Sequence, residues 1–200
     1  VQGNTRFADK IDINTLEANA AGSLSITDST NIIDRLGEFD LGDALTVQAV
    51  GRSTGMALTG DVSATSVTLK TGKGPLAIGA RAISSTSTTA GDIILQGEGV
   101  TMTTGASIDS AGKVDILGWD YRDSSLSTSD RGDLDLIGNI QAASTDSDAI
   151  YIEGGNNLVL GDLEAGTSGD RGGLQLGDSN VRSYTSRRIN GDISQAGGSS

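Results

Sequence analysis

The sequence predicts an all-β protein, a parallel β-solenoid of about 20 residues per coil, and three observations predict it. A short phrase returns along the chain: Gly, then usually Asp or another small polar residue, then an apolar-x-apolar run. It stands at Gly42-Asp43-Ala44-Leu45-Thr46-Val47, Gly91-Asp92-Ile93-Ile94-Leu95, Gly112-Lys113-Val114-Asp115-Ile116, Gly132-Asp133-Leu134-Asp135-Leu136 and Gly172-Gly173-Leu174-Gln175-Leu176. The spacing of these runs is near 20 residues, the length of one solenoid coil. Helix is disfavoured throughout, because 29 glycines interrupt nearly every run and no window of a dozen residues keeps a helical apolar period.

Each apolar-x-apolar triplet reads as a short, half-buried strand. They fall at Leu24-Ser25-Ile26, Leu45-Thr46-Val47, Val67-Thr68-Leu69, Leu76-Ala77-Ile78, Ile93-Ile94-Leu95, Val100-Thr101-Met102, Val114-Asp115-Ile116, Leu134-Asp135-Leu136, Ile150-Tyr151-Ile152, Leu158-Val159-Leu160 and Leu174-Gln175-Leu176. From Leu24 to Leu45 is 21 residues, from Leu45 to Val67 is 22, from Ile93 to Val114 is 21 and from Val114 to Leu134 is 20. That count sets Val114 and Leu134 in matching positions of successive coils, with Asp115 and Asp135 one coil apart on the outer face. The interval from Val67 to Ile93 is 26, and its surplus coincides with Ser84-Ser85-Thr86-Ser87-Thr88-Thr89, read as a loop bulging from one coil.

A second strand type follows within a few residues at Gly60-Asp61-Val62-Ser63-Ala64, Gly138-Asn139-Ile140-Gln141-Ala142, Gly161-Asp162-Leu163-Glu164-Ala165 and Gly191-Asp192-Ile193-Ser194-Gln195. Each begins with a tight polar turn, for which Gly with Asp or Asn supplies the backbone freedom. A coil therefore holds two or three strands. Stacked in parallel about 4.8 Å apart, ten such coils make a rod roughly 50 Å long. An antiparallel sandwich spaces its strands by about 8–12 residues and a propeller repeats near 40, so the period favours the solenoid over both. Residues 1–20 are read as an N-terminal arm or a preceding coil, 21–195 as the repeat domain and 196–200 as a flexible tail.

Composition restricts the chemistry. Only 3% of the 200 residues are aromatic, so the core must be packed with small aliphatics. The net charge of −12 argues against nucleic acid and anionic membranes, both of which require a cationic face. With no Cys and no His, thiolate catalysis, structural zinc, imidazole acid-base work and disulfides are excluded together. The chain starts at Val1 without a signal-like segment and has no stretch of roughly 18 apolar residues, so it is expected to be soluble and a fragment or processed product.

The phrases Leu45-Thr46-Val47-Gln48-Ala49, Gly60-Asp61-Val62-Ser63-Ala64 and Gly138-Asn139-Ile140-Gln141-Ala142 resemble the repeats of filamentous-haemagglutinin-like adhesins. These are large bacterial surface proteins exported by two-partner secretion. The resemblance spans roughly residues 20 to 195 and rests on repeat grammar; the amino-terminal secretion signatures of the family are not in this sequence. It implies a right-handed parallel β-helix (β-solenoid) that serves as a structural or adhesive shaft segment, secreted and displayed at the bacterial cell surface or in an extracellular filament. The implied partners are neighbouring coils or copies of itself end to end, and a host-cell or matrix receptor or glycan, with no nucleic acid and no membrane insertion. It implies no catalytic step.

Several residues are candidates for more than shape. Arg131-Gly132-Asp133 is a tripeptide that some adhesins present to integrins, although Gly132-Asp133 is already the repeat's corner dipeptide. Trp119 and Tyr121, in Gly118-Trp119-Asp120-Tyr121-Arg122-Asp123, offer aromatic rings to a sugar or a partner, or pack over the outside of a coil. The alternative from another class is a β-helical polysaccharide lyase or glycoside hydrolase using Asp115 and Asp135, since glycosidases need two carboxyls at a fixed separation. Calcium is the one metal the Gly-Asp corners suit, through oxygen ligands. Carboxylates capping turn amides explain the same residues, and the nine-residue calcium repeat of toxin-like solenoids is not matched. Arg182, Arg187 and Arg188 form the one basic concentration.

Overall fold

In the computed structural model the described residues are 5–6, 10–28, 30–50, 55–87, 89, 91–119, 132–166, 170–176 and 193–195. They form a parallel β-solenoid of about six turns, roughly 23 residues per turn, with no helix among them. Six turns at about 4.8 Å each give a rod on the order of 30 Å, shorter than ten 20-residue coils would make.

Each full coil holds three strand segments. One sheet collects the first of them: β1 (Thr5–Arg6), β3 (Leu24–Ile26), β5 (Leu45–Ala49), β8 (Val67–Thr71), β11 (Ile93–Gln96), β14 (Val114–Gly118), β16 (Ile150–Gly154) and β18 (Leu174–Leu176). The other two segments share an 11-stranded sheet. In the middle coils they are separate: β6 (Met56–Leu58) and β7 (Val62–Ala64), β9 (Leu76–Gly79) and β10 (Ala82–Ser85), β12 (Val100–Met102) and β13 (Ser107–Ser110). Towards both ends they run on as single strands: β2 (Asp12–Ala20) and β4 (Ile32–Leu41), then β15 (Leu134–Ala142) and β17 (Leu158–Ala165), with β19 (Ile193–Gln195) beside β17.

Alternation along each strand decides which side chains face the core. In β5 and β8 the pattern is buried, half-buried, buried, half-buried, buried, the mark of a pleated strand with one wet face. Leu24, Leu45, Val67, Ile93, Val114, Ile150 and Leu174 pair in sequence down the first sheet. Ala18, Phe39, Val62, Ile83, Ile108, Ile140 and Leu163 form a second ladder. Met56, Leu76, Val100, Leu134 and Leu158 form a third. Among the described residues these ladders merge into one core of Val, Ile, Leu, Ala and Met with one aromatic, Phe39.

Two expectations are corrected. Leu134 stands beside Val100, whereas the neighbour of Val114 is Ile150, 36 residues on. The 20-residue count from Val114 to Leu134 therefore links two different sheets, because this coil carries fifteen residues, 119–133, between β14 and β15 where neighbouring coils use three, 97–99 and 155–157. Val62, Ile140 and Leu163 do share a ladder, but Ile193 pairs with Leu158 on another, so the fourth Gly-Asp phrase is not equivalent to the rest. The surplus of the 26-residue interval lies between β10 and β11, at 86–92, whereas Ser84 and Ser85, expected in the loop, belong to β10 and pair with Ser63 and Ala64. β2 pairs with β4 along Asp12–Ala20, so the solenoid extends into the first twenty residues.

Candidate functional site

The corners hold the chemistry, because the ladders turn most apolar side chains inward; Ile137, Leu174 and Leu176 are the large ones left exposed among the described residues. At three geometrically different corners an Asp does the same thing. Asp61 accepts a hydrogen bond from the Ala82 N–H at 3.1 Å, Asp92 from the Lys113 N–H at 2.8 Å and Asp133 from the Asn157 N–H at 3.3 Å. The separations along the chain are 21, 21 and 24 residues, one coil in each case. The Asp of the Gly-Asp phrase thus caps the amide one coil later, stitching coils along the axis. Sequence reasoning had assigned these carboxylates to their own turns; the common one-coil offset was present in the spacing as the signal.

The densest charged group lies at the corner preceding β14. Lys113 Nζ stands 2.7 Å from Asp148 Oδ1 and 3.0 Å from Asp146 Oδ2, while its own N–H is held by Asp92. One lysine thereby ties three successive coils. The Lys113 ammonium is held well above its ordinary range by its bonds to Asp148 and Asp146. Asp148 is held below the usual carboxylate range by Lys113. Asp115 behaves oppositely: burial raises it first, and the negative charges of Asp92 and Asp148 add to that.

Beneath this corner Ser85 and Ser110 are buried side by side, with their hydroxyls 3.2 Å apart. Ser110 donates to the Gly91 carbonyl at 2.7 Å and accepts from the Gly112 N–H at 3.2 Å; Ser85 accepts from the Ala111 N–H at 3.0 Å. These hydroxyls satisfy corner backbone that a buried turn would otherwise leave unpaired.

The candidates from the sequence are scattered. Asp115 faces outward on the first sheet beside Ile94 and Tyr151; Asp135 lies on the other sheet beside Thr101 and Val159. They are not one coil apart, which corrects the carboxylate pair on which the hydrolase alternative was built. Gly132 and Asp133 sit in the corner before β15, where Asp133 also accepts from Asn157 Nδ2 at 2.9 Å and the Gly132 carbonyl accepts from the Asn156 N–H at 2.9 Å. That carboxylate is engaged with the next coil; Arg131 lies outside the described residues. Trp119 is half-buried and lies against Gly154, whose φ of 82° suits glycine. A Cβ there would stand 2.7 Å from the indole, so the glycine makes room for the ring. Tyr121, Arg182, Arg187 and Arg188 lie outside the described residues.

Tyr151 donates its hydroxyl to Glu153 Oε2 at 2.5 Å, and Glu153 is only 2% exposed although it occupies an outward position of β16. Sequence reasoning missed this pair, since nothing in Ile150-Tyr151-Ile152-Glu153 distinguishes a covered outer face from a wet one. Among the described residues no three His, Cys, Asp or Glu side chains converge to hold a metal ion. No protein-family model, curated protein or solved structure matches this chain.

Proposed function

We propose that this chain is a shaft segment of a secreted bacterial surface protein, of the filamentous-haemagglutinin-like kind, or of an extracellular filament, and that its work is mechanical and adhesive. One observation supports this above the others: the ladder from Leu24 to Leu174 keeps parallel register from coil to coil, and its members from Leu24 to Ile150 are buried. A rod built in this way resists bending and extension because many backbone hydrogen bonds must break together. Its Asp caps and the Lys113 clasp add links along the same axis. Asp115 and Asp135 stand on different sheets, so the carboxylate pair required by the glycosidase alternative is not formed by them.

Electron microscopy of the native material tests the reading. A thin rod at the cell surface is expected; a compact particle with no elongated form would refute it, and regularly repeating subunits along a fibre would select the filament over the single-chain shaft. The adhesive role rests on Arg131, Gly132, Asp133, Trp119 and Tyr121. Cell binding that survives both Arg131→Ala and Trp119→Ala would remove these residues from the role.

A further inference from the structure

The corner preceding the first-sheet strands changes length from coil to coil, and this carves a notch. Seven residues, 86–92, join β10 to β11; three, 111–113, join β13 to β14; seven, 143–149, join β15 to β16. The short corner is therefore recessed between two long ones, one coil above and one below, so its walls stand about 10 Å apart, two strand spacings. The cavity measures about 430 Å³, within the range of small-molecule sites. Its walls carry Thr89 and Asp92 on one side and Ser144, Thr145 and Asp146 on the other, with Gly112 and Lys113 on the floor. A Cβ on Gly112 would lie 2.4 Å from Asp92 Oδ1, so the floor stays low only as glycine.

We propose that this notch is a binding site for a neutral, hydroxyl-rich saccharide. Three features select that ligand class. An extended peptide adding as a strand needs free backbone, yet the floor's N–H groups are taken by Ser85, Ser110 and Asp92, and the Gly112 carbonyl accepts from the Ser144 N–H. An anion is repelled, because Asp92, Asp146 and Asp148 surround one lysine. A metal ion is disfavoured, because no three carboxylates converge among the described residues and the Lys113 ammonium already compensates Asp146 and Asp148. What the walls still offer is the second oxygens of Asp92 and Asp146, whose partners Lys113 N–H and Nζ hold them in place, and the hydroxyls of Thr89, Ser144 and Thr145, acceptors that sugar hydroxyls bond, with Ala111 and Ala143 also in the lining. The site is independent of the shaft reading: an inert rod and a sugar-binding rod share one fold.

The test is saturation-transfer NMR of the whole chain with the neutral disaccharides lactose, maltose and diacetylchitobiose, backed by an array of neutral oligosaccharides. Binding of at least one neutral sugar is expected, abolished by Thr145→Trp, which fills the notch from an exposed position, and weakened about tenfold by Asp146→Asn, as loss of a charge-assisted hydrogen bond predicts. Thermal unfolding of both variants shows whether the fold is kept; if Thr145→Trp unfolds the chain, Thr89→Trp fills the notch from the opposite wall. Absence of binding to every neutral sugar overturns the proposal. So does binding that folded notch-filled variants retain, or selective binding of cationic peptides instead.

Discussion

The stretch from Leu24 to Ile116 and the stretch from Gly118 onward are built from the same phrases, yet only the first can be counted off correctly. In the first, successive ladder positions are 21 to 26 residues apart; between Val114 and Ile150 the chain covers 36 and still returns in register over five residue pairs. The difference teaches where this fold has freedom. Ladders are fixed by burial, because a one-residue slip would turn Ile150 and Ile152 outward, whereas corners absorb length at small entropic cost.

A charge placed in the ladder on either side of the long step should have the largest effect. Ile116→Asp and Ile152→Asp each bury an unpaired carboxylate in a fully enclosed position, and each should lose about 4 kcal/mol or more in denaturant unfolding. A mild Ile152→Asp beside a severe Ile116→Asp would mean that the ladder does not continue across the step.

A smaller effect follows from removing residues 120–131. That leaves Trp119-Gly132-Asp133 between β14 and β15, the same three-residue length as Gly155-Asn156-Asn157 one coil later. The shortened chain should fold and gain about 1 kcal/mol through the shorter loop closure; a loss of cooperative unfolding would show that the step is needed for register.

The corner caps come next. Asp133→Ala frees the Asn157 amide and side chain, and Asp92→Ala frees the Lys113 amide; each should cost about 1 kcal/mol in denaturant unfolding. Equal losses at the two positions would support one stitching rule for different corners, and a loss at Asp92 alone would confine the rule to the corner that includes Lys113.

The smallest effect is at Asp115. Its carboxyl titrates higher in the folded chain than unfolded, so its contribution to stability is full below the unfolded value and is lost as pH rises through the folded one. Asp115→Asn should therefore raise the melting temperature slightly at pH 7, with the gain shrinking as the solution is acidified. Asp148 has the opposite sign: its contribution is present above the unfolded carboxylate range and falls away as pH drops through its lowered value.

The first sheet was legible residue by residue, since a triplet such as Leu45-Thr46-Val47 reports its strand and its buried face together. The three-sided coil was legible only as two or three strands. Leu134 was misplaced because apolar triplets on different sheets look alike, and only the length of the path between them separates the cases. The clasp at Lys113 was hidden for a similar reason. Asp146 and Asp148 are 33 and 35 residues away along the chain, and no local pattern announces that they meet. Trp119 was legible as an aromatic of unusual position, but its seat on Gly154 depends on register across the long step.

Single-molecule stretching of the chain between marker domains tests the central claim, that one uninterrupted ladder carries load through every coil. A rod of this kind should resist force as a unit and then yield coil by coil, in increments on the order of 80 Å for roughly 23 residues of extended chain. Two independent events, one for the coils up to β14 and one for those from β15 on, would overturn this claim.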